Sequence, residues 1–597
     1  MHRAALSSLA LQGMYLFLQR LRRCNISVSV AVAATVGLTA PHAAAQIIAD
    51  GQRFTPVQAR EHMVVAQEAQ AAMVGREILR AGGNAVDAAI ATGFALAVTL
   101  PRAGNIGGGG FMVIKPADGE ATTIDFRETA PASADKDMFL GPDGEADPQL
   151  SRSSGLGVGV PGTVAGFQMA LDRYGSGNFT LADLVTPAIE IAEQGFVVSP
   201  RLASALRLPR IRERLDAEPE AQRMFYRDGE PPEAGEILTM PVLAQTLSRI
   251  RDEGPAGFYE GPVAEAIAAT VQQLGGRMTV QDLAAYEPIE RAPVTGTFKD
   301  YTIISMPPPS SGGVHLIQML NIIEDAPFGT FGMNSAEMIH TMAEAAKYAY
   351  ADRSVHLGDP DFSDIPIAEL TSKDYAATIA ALINPTAATP STEIAADPGR
   401  LPTESDETTH YSVVDDNRMA VSVTYTLNFS FGVGFAAEGT GVLLNNELDD
   451  FSAKPGTPNA YGLIGGAANA VEPRKRPLSS MTPTILLKDG ELFMVTGSPG
   501  GSRIITTVMQ IILNATVHRR DIMTSTTAPR VHHQWLPDYI RIEEGISFDT
   551  IRLLEEKGHD VRTQRSMGAT QTIVVGSDGL LYGASDPRAP GGMAAGD

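Results

Sequence analysis

The stretch "TESDETTHYSVVD", Thr403 to Asp415, holds the decision about this chain. A polar, acidic run ends at Glu407, two threonines follow, and from His410 the chain reads as a β-strand. Two readings compete. In one, the threonines simply open the strand. In the other, the Glu407–Thr408 bond is cut and Thr408 becomes a nucleophile at a new N-terminus. A threonine hydroxyl is a poor nucleophile unless a nearby base takes its proton. Cleavage supplies that base on the same residue, because a free α-amine titrates at about 7.7–8.0 and is partly neutral near neutral pH. Before the cut the same nitrogen is an amide and cannot act as a base.

Upstream, residues 384–407 are rich in Pro, Thr, Ser, Ala and acidic side chains, with almost no apolar periodicity. They read as an exposed, mobile connection, which a cleavable junction needs. Downstream the chain is strand-rich. Hairpins are expected at 411–414 with 419–426, at 484–487 with 492–496, and at 572–575 with 580–582, each around an Asp/Asn/Gly turn. The part before the junction is helix-rich. Residues 71–100 read as two helices, stopped at Gly82-Gly83, restarted by an Asn84 N-cap and ended by Pro101. Further helices are expected at 181–194, 241–252, 335–354 and, after the junction, 504–515. A hairpin at 111–115 with 121–126 leaves Arg127 at its far end. Helices and antiparallel hairpins from both parts indicate a layered α+β fold.

The 597 residues are 44% hydrophobic and 19% charged, with a net charge of -23. That charge argues against a nucleic-acid partner, whose phosphates it would repel. The single cysteine is Cys24. It lies in an N-terminal extension with Arg20, Arg22 and Arg23, an apolar run at 26–40 and small residues at Ala43 to Ala45, the form of an export signal spanning 1–45. Met14 is an alternative start, and a retained anchor is the competing reading, for which the apolar run is short. The chain from Gln46 would contain no cysteine, which excludes a cysteine nucleophile, disulfides and thiolate metal sites.

Three further stretches, with Arg127, can carry chemistry. "TGSPGGSR", Thr496 to Arg503, lies between a strand and a helix; its glycines could aim backbone N–H groups at an oxyanion, or merely make the turn. Arg127 and "KRPLSS", Lys475 to Ser480, offer a guanidinium fork and hydroxyls for a carboxylate. "NNELDDFS", Asn445 to Ser452, offers Glu447 and Asp450 for an ammonium group. Each of the last two alone is more often a solvated loop. The glycines Gly107 to Gly110 lack the ending of a phosphate loop and read as close backbone packing. The adjacent histidines of "VHHQW", Val531 to Trp535, point to opposite faces of an extended segment, so no metal is expected there.

Taken in order, "TTHYSVVD", "TYTLN", "GVLLNNELDDFS", "KRPLSSMTPT" and "VTGSPGGSRI" resemble the small subunit of the γ-glutamyltranspeptidase family, and "GNAVDAAIATGFAL", "GNIGGGGFM", "DFRETAP" and "MPPPSSGG" resemble its large subunit. The likeness runs from about residue 50 to 587. It implies an N-terminal-nucleophile hydrolase fold, a four-layer αββα sandwich formed jointly by two subunits cut from one precursor, here 46–407 and 408–597. It implies that Thr408 attacks the γ-carbonyl of γ-glutamyl compounds such as glutathione, with its own amine as base. Thr426 would support the nucleophile and Gly500 and Gly501 would form the oxyanion hole. Arg127, Ser479 and Ser480 would hold the substrate α-carboxylate, and Asn428, Glu447 and Asp450 its α-ammonium group. Tyr461 matches a lid tyrosine of some bacterial members. The acyl group would pass to water, amino acids or short peptides, in the periplasm, without cofactor or metal and without a lasting membrane span. The runner-up is a glutaryl acylase of the cephalosporin type, which shares the fold and the self-cleavage. A third reading is an uncut, non-catalytic binding protein.

Overall fold

A computed structural model describes residues 55–216, 218–395, 408–459 and 462–597, and Thr55–Asp597 form one compact unit. Two seven-stranded antiparallel sheets make its centre. The first runs, strand by strand, Met593–Gly596, Met63–Ala66, Thr409–Val414, Ala420–Thr426, Gly109–Lys115, Thr122–Phe126 and Ile289–Arg291. The second runs Val57–Ala59, Leu581–Ser585, Gln571–Val575, Glu491–Thr496, Thr484–Lys488, Tyr301–Ser305 and Val294–Phe298. Each sheet therefore mixes strands from before and after Thr408. Thr409–Val414 is hydrogen-bonded between Met63–Ala66 and Ala420–Thr426, so a cut before Thr408 leaves the two products interlocked.

Every residue of Thr409–Val414 and Ala420–Thr426 is buried, as expected for a sheet covered on both faces. Successive side chains alternate sides. Tyr411, Val413, Val421, Val423 and Tyr425 join the core shared with the helices Ala69–Arg80, Ala85–Thr99 and Leu181–Gln194. The opposite face meets the second sheet through a smaller apolar core that includes Val65, Val113, Ile485, Val495 and Ile573. Polar bonds tie the two sheets as well: Ser412 Oγ donates to Gln571 O (2.8 Å) and Ser422 Oγ to Thr496 O (3.1 Å). The helices Gly312–Ile323, Ala336–His356 and Ile504–Thr516 share a third core with the second sheet. The layering is helix, sheet, sheet, helix.

The expected helices and hairpins are present, with ends shifted by a few residues. Asn84 caps Ala85–Thr99 through a reciprocal pair: its side chain accepts from Val86 N and Asp87 N, and Asp87 accepts from Asn84 N. The strands within 57–66 and 289–305 were not among those expected from the sequence. The connection expected to be mobile is in part fastened. Residues 384–387 are exposed, yet Ala388 N donates to Lys557 O (2.7 Å), and buried Ser391 donates Oγ–H to Trp535 O (2.6 Å) and N–H to Asp538 Oδ2 (2.8 Å). Residues 396–407, and the expected signal at 1–45, lie outside the described residues.

Candidate active site

Thr408 directly precedes the strand Thr409–Val414, whose first residue pairs with Tyr425. This register sets Thr408 beside Thr426, the last residue of the neighbouring strand, and Thr408 Oγ1 lies 3.4 Å from Thr426 Oγ1. Thr426 Oγ1 also accepts Asn428 N–H at 2.9 Å, while Thr426 O accepts the Asn105 amide at 2.8 Å. The backbone is crowded here: a Cβ on Gly108 would lie 2.1 Å from Thr426 O, which accounts for glycine in the "GGGG" run. His410 plays no part in the pocket. It is buried, its ring bonds Thr424 Oγ1 (2.8 Å) and Ser412 Oγ (3.1 Å), and burial pushes its pKa down to about 3.

Thr408 and Thr426 line a pocket together with Arg127, Asn428, Glu447, Asp450, Ser479, Ser480 and Gly501. Segments far apart in the chain converge on it. Arg127 follows the strand Thr122–Phe126, and Glu447 and Asp450 sit on one 3₁₀ turn. Asn428 holds a left-handed backbone (φ 70°) and donates its side-chain N–H to Asn446 O (2.9 Å). Ser479 is pinned at its backbone, N–H to Pro309 O and C=O from Ser311 N, each 2.8 Å. Gly500 and Gly501 take φ of 134° and 56°, values that favour glycine, and open the 3₁₀ turn that leads into Ile504–Thr516.

The charged end of the pocket is one cluster rather than separate cationic and anionic sites. Arg127 Nη1 donates to Glu447 Oε1, Arg127 Nη2 donates to Asp450 Oδ2 at 2.6 Å, and Glu128 Oε2 lies 3.9 Å from Arg127 Nη1. Arg127 and Glu447 are almost wholly buried. Burial alone would lower the Arg127 pKa, but the three carboxylates outweigh it and raise it. Burial raises the pKa of Glu447 and Asp450 against the pull of Arg127, and pushes Glu128 up to about 8. A zwitterion fits such a cluster well, since its carboxylate can take the guanidinium while its ammonium group takes the carboxylates.

Two residues here escaped the sequence reading. Glu128 stands next to Arg127 in "DFRETAP" but carries no motif of its own. Arg353 lines the pocket from the helix Ala336–His356, donating Nη2–H to Ser480 Oγ (3.3 Å) and Nε–H to Ser311 Oγ (3.0 Å). Burial pushes its pKa down to about 10, which leaves it charged near neutrality. Its signal was hidden in a helix buried on nearly all sides. Two expected residues, Glu407 and Tyr461, lie outside the described residues, although Leu463, two positions beyond Tyr461, does line the pocket.

The family model for gamma-glutamyltranspeptidase matches residues 71–596. This chain belongs to the gamma-glutamyltranspeptidase family. The glutathione hydrolase proenzyme of Escherichia coli (strain K12) is 53% identical over 544 residues, covering 91% of this chain and 93% of that protein. Among solved structures, Helicobacter pylori gamma-glutamyltranspeptidase is 45% identical with a TM-score of 0.53, over 56% of this chain and 94% of that chain. The cephalosporin acylase from Bacillus halodurans is 26% identical with a TM-score of 0.78, over 91% of this chain and 97% of that chain. The fold is the N-terminal-nucleophile hydrolase sandwich that these relatives share, and the acylase stands much further off in sequence than the glutathione hydrolase proenzyme.

Proposed function

We propose that this chain is a self-cleaving γ-glutamyltransferase and glutathione hydrolase. The single observation that carries the reading is the shared pocket: a threonine at a strand head, a second threonine beside it, and a buried charge cluster matched to an amino acid's two charges. Cutting the Glu407–Thr408 bond frees the Thr408 amine and yields a large subunit, 46–407, and a small one, 408–597, which stay together as a heterodimer. The amine then takes the Thr408 hydroxyl proton as Oγ attacks the γ-carbonyl. Negative charge forming on the carbonyl oxygen meets the N–H groups of Gly500 and Gly501. Collapse expels the leaving amine, which takes the proton back from the Thr408 ammonium group. Water, an amino acid or a short peptide then releases the γ-glutamyl group from the ester. Arg127, Ser479 and Ser480 hold the α-carboxylate; Asn428, Glu447 and Asp450 hold the ammonium group; Tyr461 covers the site. Thr426 keeps the nucleophile oriented.

The glutaryl acylase reading is the weaker one, because a glutaryl group has no amine to match Glu447 and Asp450. We place the enzyme outside the inner membrane, in the periplasm, on the strength of the expected signal at 1–45. Among the described residues no helix is long and apolar enough to cross a membrane. The test is to incubate purified protein with glutathione, with and without glycylglycine. Release of glutamate, and formation of γ-glutamyl-glycylglycine when the acceptor is present, is the expected result. Turnover of glutaryl amides with no turnover of glutathione would overturn the reading.

A further inference from the structure

Away from the pocket, the far end of the helix Ala336–His356 carries a second buried polar cluster. His340 and Glu344 are four residues apart, hence on one face of that helix. His559, 219 positions along the chain from His340, meets them from the loop after the helix Phe548–Glu556: His340 Nδ1 and His559 Nε2 are 2.7 Å apart. All three side chains are buried, and one ligand atom from each lies within 4.8 Å of the others. His340 Nε2 is 2.8 Å from Asn384 O. A carbonyl can only accept, so this contact fixes the proton on Nε2 and leaves the Nδ1 lone pair aimed at His559. A backbone carbonyl holding the far ring N–H is the usual support behind a metal-bound histidine.

We propose that His340, Glu344 and His559 form a site for a divalent transition metal, Zn²⁺ as the first candidate, with the remaining position open to water. Two imidazoles and one carboxylate suit Zn²⁺, which takes three protein ligands and a water in open tetrahedral sites. Ligand atoms at about 2.0–2.1 Å from a tetrahedral ion stand roughly 3.3–3.5 Å apart, so the two rings part slightly while the carboxylate closes in. The proton that His559 Nε2 now shares with His340 moves to His559 Nδ1, and no net proton is released. Lys347 is the competing cation. Its ammonium group bonds Glu344 Oε1 (2.9 Å) and Thr389 O (2.6 Å) and lies 3.6 Å from Asp538 Oδ1. Glu344 Oε2 accepts Thr389 N–H at 3.2 Å and keeps a second lone pair for the metal. His533, bonded to Asp538 Oδ1 at 3.3 Å, stands behind Lys347 and outside the ligand set. The metal would tie a helix upstream of Thr408 to a loop downstream of it, whether or not the 407–408 bond is cut.

The test uses the whole purified protein, freed of metal with a chelator and titrated with Co²⁺ and then Zn²⁺. The expected result is one Co²⁺ per chain with the intense visible bands of a tetrahedral site, displaced by Zn²⁺, and a rise in Tm with Zn²⁺. His340→Gln and His559→Gln should each abolish those bands while γ-glutamyl turnover persists. His62→Gln, which alters a second close group of ligating residues among those described (Glu61, His62, Asp416), should leave them intact. Octahedral Co²⁺ bands in the wild type, or tetrahedral bands that survive in both histidine variants, would overturn the proposal.

Discussion

The two ends of the pocket are built on opposite principles. At the reacting end, Thr408, Thr426, Gly500 and Gly501 carry no side-chain charge, and the proposed base does not exist until a bond breaks. At the recognition end, Arg127, Glu447, Asp450 and Glu128 are already charged or poised to be, and already paired with one another. On the proposed mechanism the reacting end lacks its base for substrate turnover until the chain is cut, whereas the charged groups of the recognition end are paired in the intact chain. Mutations at the two ends should therefore fail differently: all-or-none at the first, graded and dependent on substrate charge at the second.

The largest effect is expected at Thr408. Thr408→Ala removes the hydroxyl proposed both to open the Glu407–Thr408 bond and to attack the γ-carbonyl, so γ-glutamyl-p-nitroanilide turnover should vanish, while Thr408→Ser should retain part of it. Measurable turnover by the alanine variant would remove the reacting end from the scheme. Next comes Asp450→Ala. It leaves the substrate ammonium group partly buried without its partner, at about 3–5 kcal/mol, or roughly two to three and a half orders of magnitude in kcat/KM. A glutaryl amide has no such group and should lose little. Equal losses on both substrates would make Asp450 a support for the fold. Arg127→Lys keeps the charge but loses the planar fork, so KM should rise by the equivalent of roughly 1.5–3 kcal/mol with a smaller change in kcat.

The smallest effect concerns Glu128 and pH. Burial raises its folded-state pKa from 4.5 to about 8, so the folded protein holds a proton that the unfolded chain gives up earlier. The stability this group contributes is full below the unfolded value and is lost as pH rises through about 8. Wild type should therefore lose more Tm between about pH 6 and pH 9 than Glu128→Gln does. Parallel Tm profiles for the two proteins would show that Glu128 is ionised throughout.

Local pattern made much of this molecule legible in advance. Hairpins around Asp-Gly turns, the Asn84 cap and the long helices are short-range physics, and the threonine pair marks where the strand begins. Nine of the ten expected site and junction residues whose places the structure describes line one pocket, and the tenth, Gly500, is next to lining Gly501. What stayed hidden depends on residues far apart in the chain. Nothing near Arg127 announces that its partners are Glu447 and Asp450, more than three hundred residues on. Arg353 looks like any helical arginine until its serine partners arrive from two other loops. The fastening of residues 388–391 follows from contacts with Lys557, Trp535 and Asp538, which composition cannot reveal.

The central claim is that Thr408 gains its own base by chain cleavage, and mass spectrometry of the purified, denatured protein tests it most directly. The account predicts two chains, the shorter beginning at Thr408 with a free α-amine, and γ-glutamyl turnover that tracks their appearance. A single intact chain that turns over γ-glutamyl substrate at full rate, or an active protein whose new N-terminus lies elsewhere, would contradict it.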